Sequence, residues 1–267
     1  MNIYVDLTKR FNIGRLRAIL SSGQAVVLHR LAIMSKDGDW IVRSDDEALD
    51  HILRTLDEYG ARYRFGAPFD KSWFEGGWSS HFEFMLDGLR VRTDFVSKPP
   101  RIQAARLAEI WIEEEKREFP FIDLVDLAEL KKTNREKDYA VIGELSRKMK
   151  SFPEKVRYSR SARELLDFLK NGPDIVISVL EQRGITRDAL KDVESLETAL
   201  DAERRKLMHA NENRLLKYVN AAKVWSEIWK DVEKETEGLS LTNAHKIIVQ
   251  RAEGVLPKTL EKGEVHD

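Results

Sequence analysis

Cysteine is absent from the 267 residues, which excludes disulfides, thiolate metal sites and thiol nucleophiles together. Long apolar runs are missing as well. The longest, at 25–28 and 175–180, fall far short of the roughly 20 residues that cross a bilayer, so a soluble chain with no membrane contact is expected. The start, Met1-Asn2-Ile3-Tyr4-Val5-Asp6, carries an acid early and lacks the apolar core of a signal peptide, and a cytoplasmic location is the expectation. Neither sign of charge dominates. Lys and Arg number 45 against 46 Asp and Glu, a net charge of −1, so any nucleic-acid contact needs a local basic patch. No Gly-x-x-x-x-Gly-Lys-Ser/Thr loop and no Ser/His/Asp hydrolase motif occurs. His29 and His51 lack metal-ligand spacing and read as structural, and His209 and His245 are isolated.

What is present is 42% hydrophobic and 34% charged, the balance of a helix-rich globular chain. Apolar spacing predicts a helix over 9–21, and 25–28 reads as either strand or buried helix. Trp40-Ile41-Val42 is a short β-type run. Ser44-Asp45-Asp46-Glu47 is a capping box, opening a helix that runs to about Tyr59, stops at Gly60 and buries Leu49, Ile52, Leu53 and Leu56. Asp87-Gly88 sits between two alternating stretches, 81–86 and 89–96, and predicts a hairpin. Further helices are expected over 124–132 and up to about Met149, with Pro153 as a domain boundary. Beyond about residue 160 the pattern is almost wholly helical. An apolar stripe there links Leu207, Leu215, Val219, Ala222, Trp225, Ile228, Trp229 and Val232.

Asp37 and Asp39, at i and i+2 before a β-type run, share a face if the backbone is extended. Asp94 on a neighbouring strand would complete an oxygen cage for Mg²⁺, which prefers hard carboxylate ligands. Two such ions about 4 Å apart would align an attacking oxygen and a leaving pyrophosphate. Taken alone, Asp37-Gly38-Asp39 reads first as a solvated Asp-Gly turn. Trp73, Trp78, His81 and Phe82 surround a glycine-containing stretch; they read as core or hairpin lid, with base stacking as the rival.

Order and spacing add a resemblance. Gly23-Gln24, twelve residues, then Asp37-Gly38-Asp39-Trp40 resembles the nucleotidyltransferase signature of a Gly-Ser or Gly-Gly pair upstream of Asp-x-Asp. Val91-Arg92-Thr93-Asp94-Phe95 resembles that superfamily's third-acid strand. The segment 122–131 and Arg135-Glu136-Lys137-Asp138 resemble parts of the bacterial minimal and abortive-infection-type members. The resemblance covers about residues 12–150. It implies an α+β fold: a nucleotidyltransferase-like domain over 1–152 with a small mixed sheet, then a helical domain over 153–267 that binds the acceptor or a partner protein.

The implied activity is Mg²⁺-dependent transfer of a nucleotidyl group from an NTP to RNA, such as a tRNA, or to a protein, in a toxin–antitoxin or phage-defence setting. Asp37, Asp39 and Asp94 are then the catalytic and metal-binding acids, and Gly23, Gln24, Lys131, Arg135 and Lys137 contact the nucleotide. Two positions depart from the pattern. Gln24 stands where a Ser or Gly approaches the triphosphate, and Gly38 replaces an aliphatic residue, which would loosen the strand. Both favour the alternative, a catalytically degenerate subunit that serves as a binding or assembly module. The basic groups Arg204, Arg205, Lys206, Arg214 and Lys217 offer a local phosphate-attracting patch on the helical half.

Overall fold

Asn2 starts the first helix: its side chain accepts the Tyr4 N–H at 3.0 Å, satisfying a donor that the helix itself leaves unpaired. The structure, a computed structural model, describes residues 2–260. In chain order the elements are α1 (Ile3–Phe11), β1 (Ala18–Ser21), α2 (Ser22–Leu28), β2 (Asp37–Val42), α3 (Asp46–Asp57), β3 (Arg62–Tyr63), α4 (Lys71–Glu75), β4 (Ser79–Leu86), β5 (Leu89–Val96) and α5 (Ala104–Glu114). They continue with α6 (Leu124–Leu130), α7 (Glu136–Lys148), α8 (Phe152–Tyr158), α9 (Ala162–Asn171), α10 (Pro173–Gln182), α11 (Val193–Ala221), α12 (Lys223–Glu235) and α13 (Leu241–Ala252). The fold is α+β, as the sequence predicts.

By packing, the chain divides into two units. The first runs through Leu28, resumes over Ala32–Ile122 and resumes again from Leu216; the second takes His29–Leu31 and Asp123–Leu215. This is not a division at residue 152. Pro153 lies in the first turn of α8, where its fixed φ and missing N–H are tolerated, so it opens a helix rather than marking a linker.

The first unit holds a five-stranded sheet in the order β1-β2-β5-β4-β3, antiparallel except for the central β2–β5 pair. The β4–β5 hairpin turns at Asp87 (φ 49°) and Gly88 (φ 78°), as their sequence predicts. Trp40 and Phe95 are register partners whose rings stack at 5.3 Å on one face of the sheet. Phe11, Phe69 and Phe82 meet that stack edge-on, and Trp40 Nε1 donates to Thr8 Oγ1 at 2.9 Å. Residues 18–21 are strand, not the tail of a predicted 9–21 helix. All four are buried, so they show no period-2 alternation that would have distinguished them.

α3 forms where predicted, capped by Asp45, which accepts the Ala48 N–H at 3.0 Å; Ser44 is one residue too early to be the cap. The core of this unit includes the far end of the chain. Trp225, Trp229, Val232, Leu241 and Ile248 belong to the same buried cluster as Leu7, Trp40 and Phe95. Trp225 Nε1 donates to the Gly66 carbonyl, Trp73 Nε1 to that of Leu256 and Trp78 Nε1 to that of Pro257. The aromatics at 73, 78 and 82 are therefore core, and base stacking on them is excluded by burial. His245 is not isolated: Tyr63 Oη accepts the Phe69 N–H at 3.1 Å, which leaves the phenol proton for His245 Nδ1 at 2.7 Å.

The second unit is helical, with a core of Val156, Ala162, Leu165, Val176, Leu180, Leu196 and neighbours. Glu203 bridges two arginines, accepting from Arg160 Nη1 at 2.5 Å and Arg183 Nη2 at 2.7 Å. The predicted long apolar stripe is interrupted: α11 ends at Ala221, α12 begins at Lys223, and Val219 is exposed while Trp225 and Val232 are buried. Among the described residues, no helix is long and apolar enough to cross a membrane.

Candidate functional site

Asp37, Gly38 and Asp39 begin β2 rather than forming a turn. In the extended backbone the side chains of Asp37 and Asp39 point to one face, opposite Trp40. The β2–β5 register pairs Asp37 with Arg92 and Asp39 with Asp94, so all three acids share the face turned away from the aromatic stack. The β4–β5 register adds His81 directly opposite Asp94.

Gly38 does not loosen the strand. A Cβ there would overlap the rings of Tyr4 and Trp40, so glycine is what lets those two side chains close over β2. Tyr4 Oη donates to the Lys36 carbonyl at 2.6 Å. Its pKa is raised, first by burial, then by the negative charge of Asp37 and, more weakly, of Asp39 and Asp94. The phenol thus stays protonated beside the acids and steadies the residue just before them.

Gln24 is buried and hydrogen-bonded within the fold. Its Nε2 donates to the carbonyl of Ser35 at 3.0 Å and lies 3.4 Å from that of Asp37, while Oε1 accepts from Asn2. The side chain fixes the entry to β2 instead of reaching toward a triphosphate. Gly23 packs against Ser35 closely enough that a Cβ would overlap its hydroxyl.

The acids differ in their partners. Asp37 Oδ1 is buried and accepts no hydrogen bond, with Arg92 Nη1 standing 3.9 Å away. Asp94 Oδ1 is engaged twice, by His81 Nδ1 at 2.7 Å and by Arg64 Nη1 at 3.1 Å. Among the described residues no group of three or more His, Cys, Asp or Glu side chains is arranged to hold a metal ion. His81 and Arg64 escaped the sequence reading as partners of Asp94. The available signal was the hairpin itself: counting back from Asp87-Gly88 places His81 opposite Asp94.

Lys131, Arg135 and Lys137 belong to the second unit. Lys131 is buried with its Nζ 3.5 Å from Asp138 Oδ1. Arg135 Nε and Thr133 Oγ1 both donate to Asp138 Oδ2, at 2.8 and 2.6 Å. Asp138 therefore orders Lys131 and Arg135, while Lys137 lies exposed on α7. Of the predicted basic patch, Arg204 is paired with Glu136 and Asp201.

No family model matches the chain, and no curated protein matches it. Among solved structures it is similar to a crystal structure of an H. pylori protein provisionally named a nucleotidyltransferase. The two share 12% identity, the match covers 79% of this chain and 96% of that one, and the TM-score is 0.38.

Proposed function

We propose that the chain transfers a nucleotidyl group from an NTP to an acceptor, using the acidic face of β2 and β5. The observation that carries the reading is the parallel β2–β5 register, which sets Asp39 beside Asp94 and keeps Asp37 on the same face. The carboxylate donors suit magnesium. Asp37, whose buried Oδ1 accepts no hydrogen bond, and Asp39 would hold it, while phosphates and water fill the other positions, the mode Mg²⁺ favours. When bound, the ion would neutralise phosphate charge as the leaving pyrophosphate develops. The chain's own contribution is to fix the two carboxylates: Gln24 holds the strand entry, and Tyr4 and Trp40 close over Gly38.

RNA, such as a tRNA end, or a protein hydroxyl is the proposed acceptor, and a toxin or phage-defence role the proposed setting. Both rest on the sequence resemblance of residues 12–150. The alternative, a non-catalytic binding module, is favoured by one observation: the Gln24 side chain is committed to the strand entry rather than open to a nucleotide.

Incubating the protein with Mg²⁺, each labelled NTP and total cellular RNA tests the reading. Labelled RNA or protein that disappears with Asp39→Asn supports it. No labelling together with no NTP binding in calorimetry overturns it and leaves the binding module.

A further inference from the structure

Asp94 is held by a specific set of partners, and those partners form a relay. Ser79 and His81 stand at i and i+2 on β4 and so share a sheet face. Ser79 Oγ lies 2.9 Å from His81 Nε2, and His81 Nδ1 lies 2.7 Å from Asp94 Oδ1. A carboxylate at Nδ1 fixes the neutral ring with its proton on that nitrogen, which leaves the Nε2 lone pair for the Ser79 hydroxyl proton. Hydroxyl, imidazole and carboxylate are thus joined in the order that activates a serine.

The ring is also held in place. Gly66 packs against it so closely that a Cβ there would overlap His81 Cδ2, and the Ser79 carbonyl accepts the Ala67 N–H at 3.0 Å. Arg64 Nη1, 3.1 Å from Asp94 Oδ1, pairs with that carboxylate and places a cation beside the relay. Ser79, His81, Asp94 and Arg64 are all partly exposed, so an incoming molecule can reach them. A simple cross-strand pair on a wet sheet face would leave one imidazole nitrogen to water; here both are used, and the backbone gives way to the ring at Gly66.

We propose that Ser79 is a nucleophile toward phosphorus electrophiles, with His81 as its general base and Asp94 orienting the imidazole. The substrate class is a phosphoanhydride, whose negative charge the Arg64 guanidinium attracts. In the step, the Ser79 Oγ–P bond forms and the bond from phosphorus to the leaving oxygen breaks. The leaving group departs as an oxyanion, and the hydroxyl proton passes to His81 Nε2. The step requires neither a metal nor the nucleotidyl reading above.

A fluorophosphonate probe, which supplies its own fluoride leaving group, tests this on the full chain. Intact-mass and peptide analysis should show one adduct on Ser79 and none in Ser79→Ala. His81→Gln should label on the order of 100-fold more slowly, the usual weight of a general base. Asp94→Asn, which preserves the hairpin register, should also slow labelling, and circular dichroism establishes that each variant is folded. No adduct on Ser79 in the wild type, or wild-type labelling rates in both the His81 and Asp94 variants, overturns the proposal. Because the probe needs no NTP and no magnesium, that failure is distinct from failure of nucleotidyl transfer.

Discussion

Asp39 and Asp94 are register partners across the parallel pair at the centre of the sheet, so two acids distant in sequence stand side by side. Neither depends on a loop for its position. An isosteric amide at either β2 acid removes charge while leaving the ladder intact. Asp37→Asn and Asp39→Asn should each weaken Mg²⁺-dependent NTP binding by at least about 10–100-fold, the loss that even outer-shell metal partners produce. Calorimetry measures it, with an unchanged circular dichroism spectrum as the control. Wild-type affinity in both variants would move nucleotide binding off this face.

Gly38→Ala should destabilise the protein by about 1–3 kcal/mol, the usual range for forcing one extra methyl into a filled core. The methyl would collide with Tyr4 and Trp40, two rings already packed against their neighbours. Denaturant melts read the change. An unaltered midpoint would mean that the rings yield freely.

Cutting the chain after about residue 152 should not release a folded sheet unit. The cut removes Trp225, Trp229, Val232, Leu241 and Ile248 from the cluster that contains Trp40 and Phe95. Trp225→Ala alone should cost about 3–5 kcal/mol. A truncated chain with a cooperative melt and dispersed amide NMR signals would contradict the assignment of these helices to the sheet's core.

His245 should make stability depend on pH. Burial holds its pKa below the ordinary 6.5, against the opposing pull of Asp70 and Asp50, and its Nδ1 accepts the Tyr63 proton. The unfolded chain therefore takes up a proton first. Its contribution is complete above about pH 6.5 and is lost as the pH falls from there toward the lower folded value. Urea midpoints measured across that window should decline with acid. His245→Gln, whose amide oxygen still accepts from Tyr63, should flatten that part of the profile.

Much of the site was legible because it obeys short-range rules. The Asp-Gly turn gave the hairpin, and i, i+2 spacing put Asp37 and Asp39 on one face. What escaped depends on longer relationships. β1 is buried throughout and so carries no alternation, and the stripe from Leu207 to Val232 gives no sign of the break at Ala222. Gln24 looked like a flaw in a phosphate loop because sequence spacing cannot say which carbonyls a side chain will meet. The partners of Asp94 required the register of two strand pairs at once, and Arg64 lies just beyond the short β3.

Position 38 also carries a prediction about inheritance. Since the room for a side chain there is taken by Tyr4 from α1 and Trp40 from the same strand, the three positions cannot drift independently. In homologous chains, an alanine or larger residue at 38 should coincide with a smaller residue at 4 or 40. Chains that keep both large rings should keep the glycine. A correlated trio of this kind would identify descendants of this particular strand architecture even where the acids themselves have been replaced.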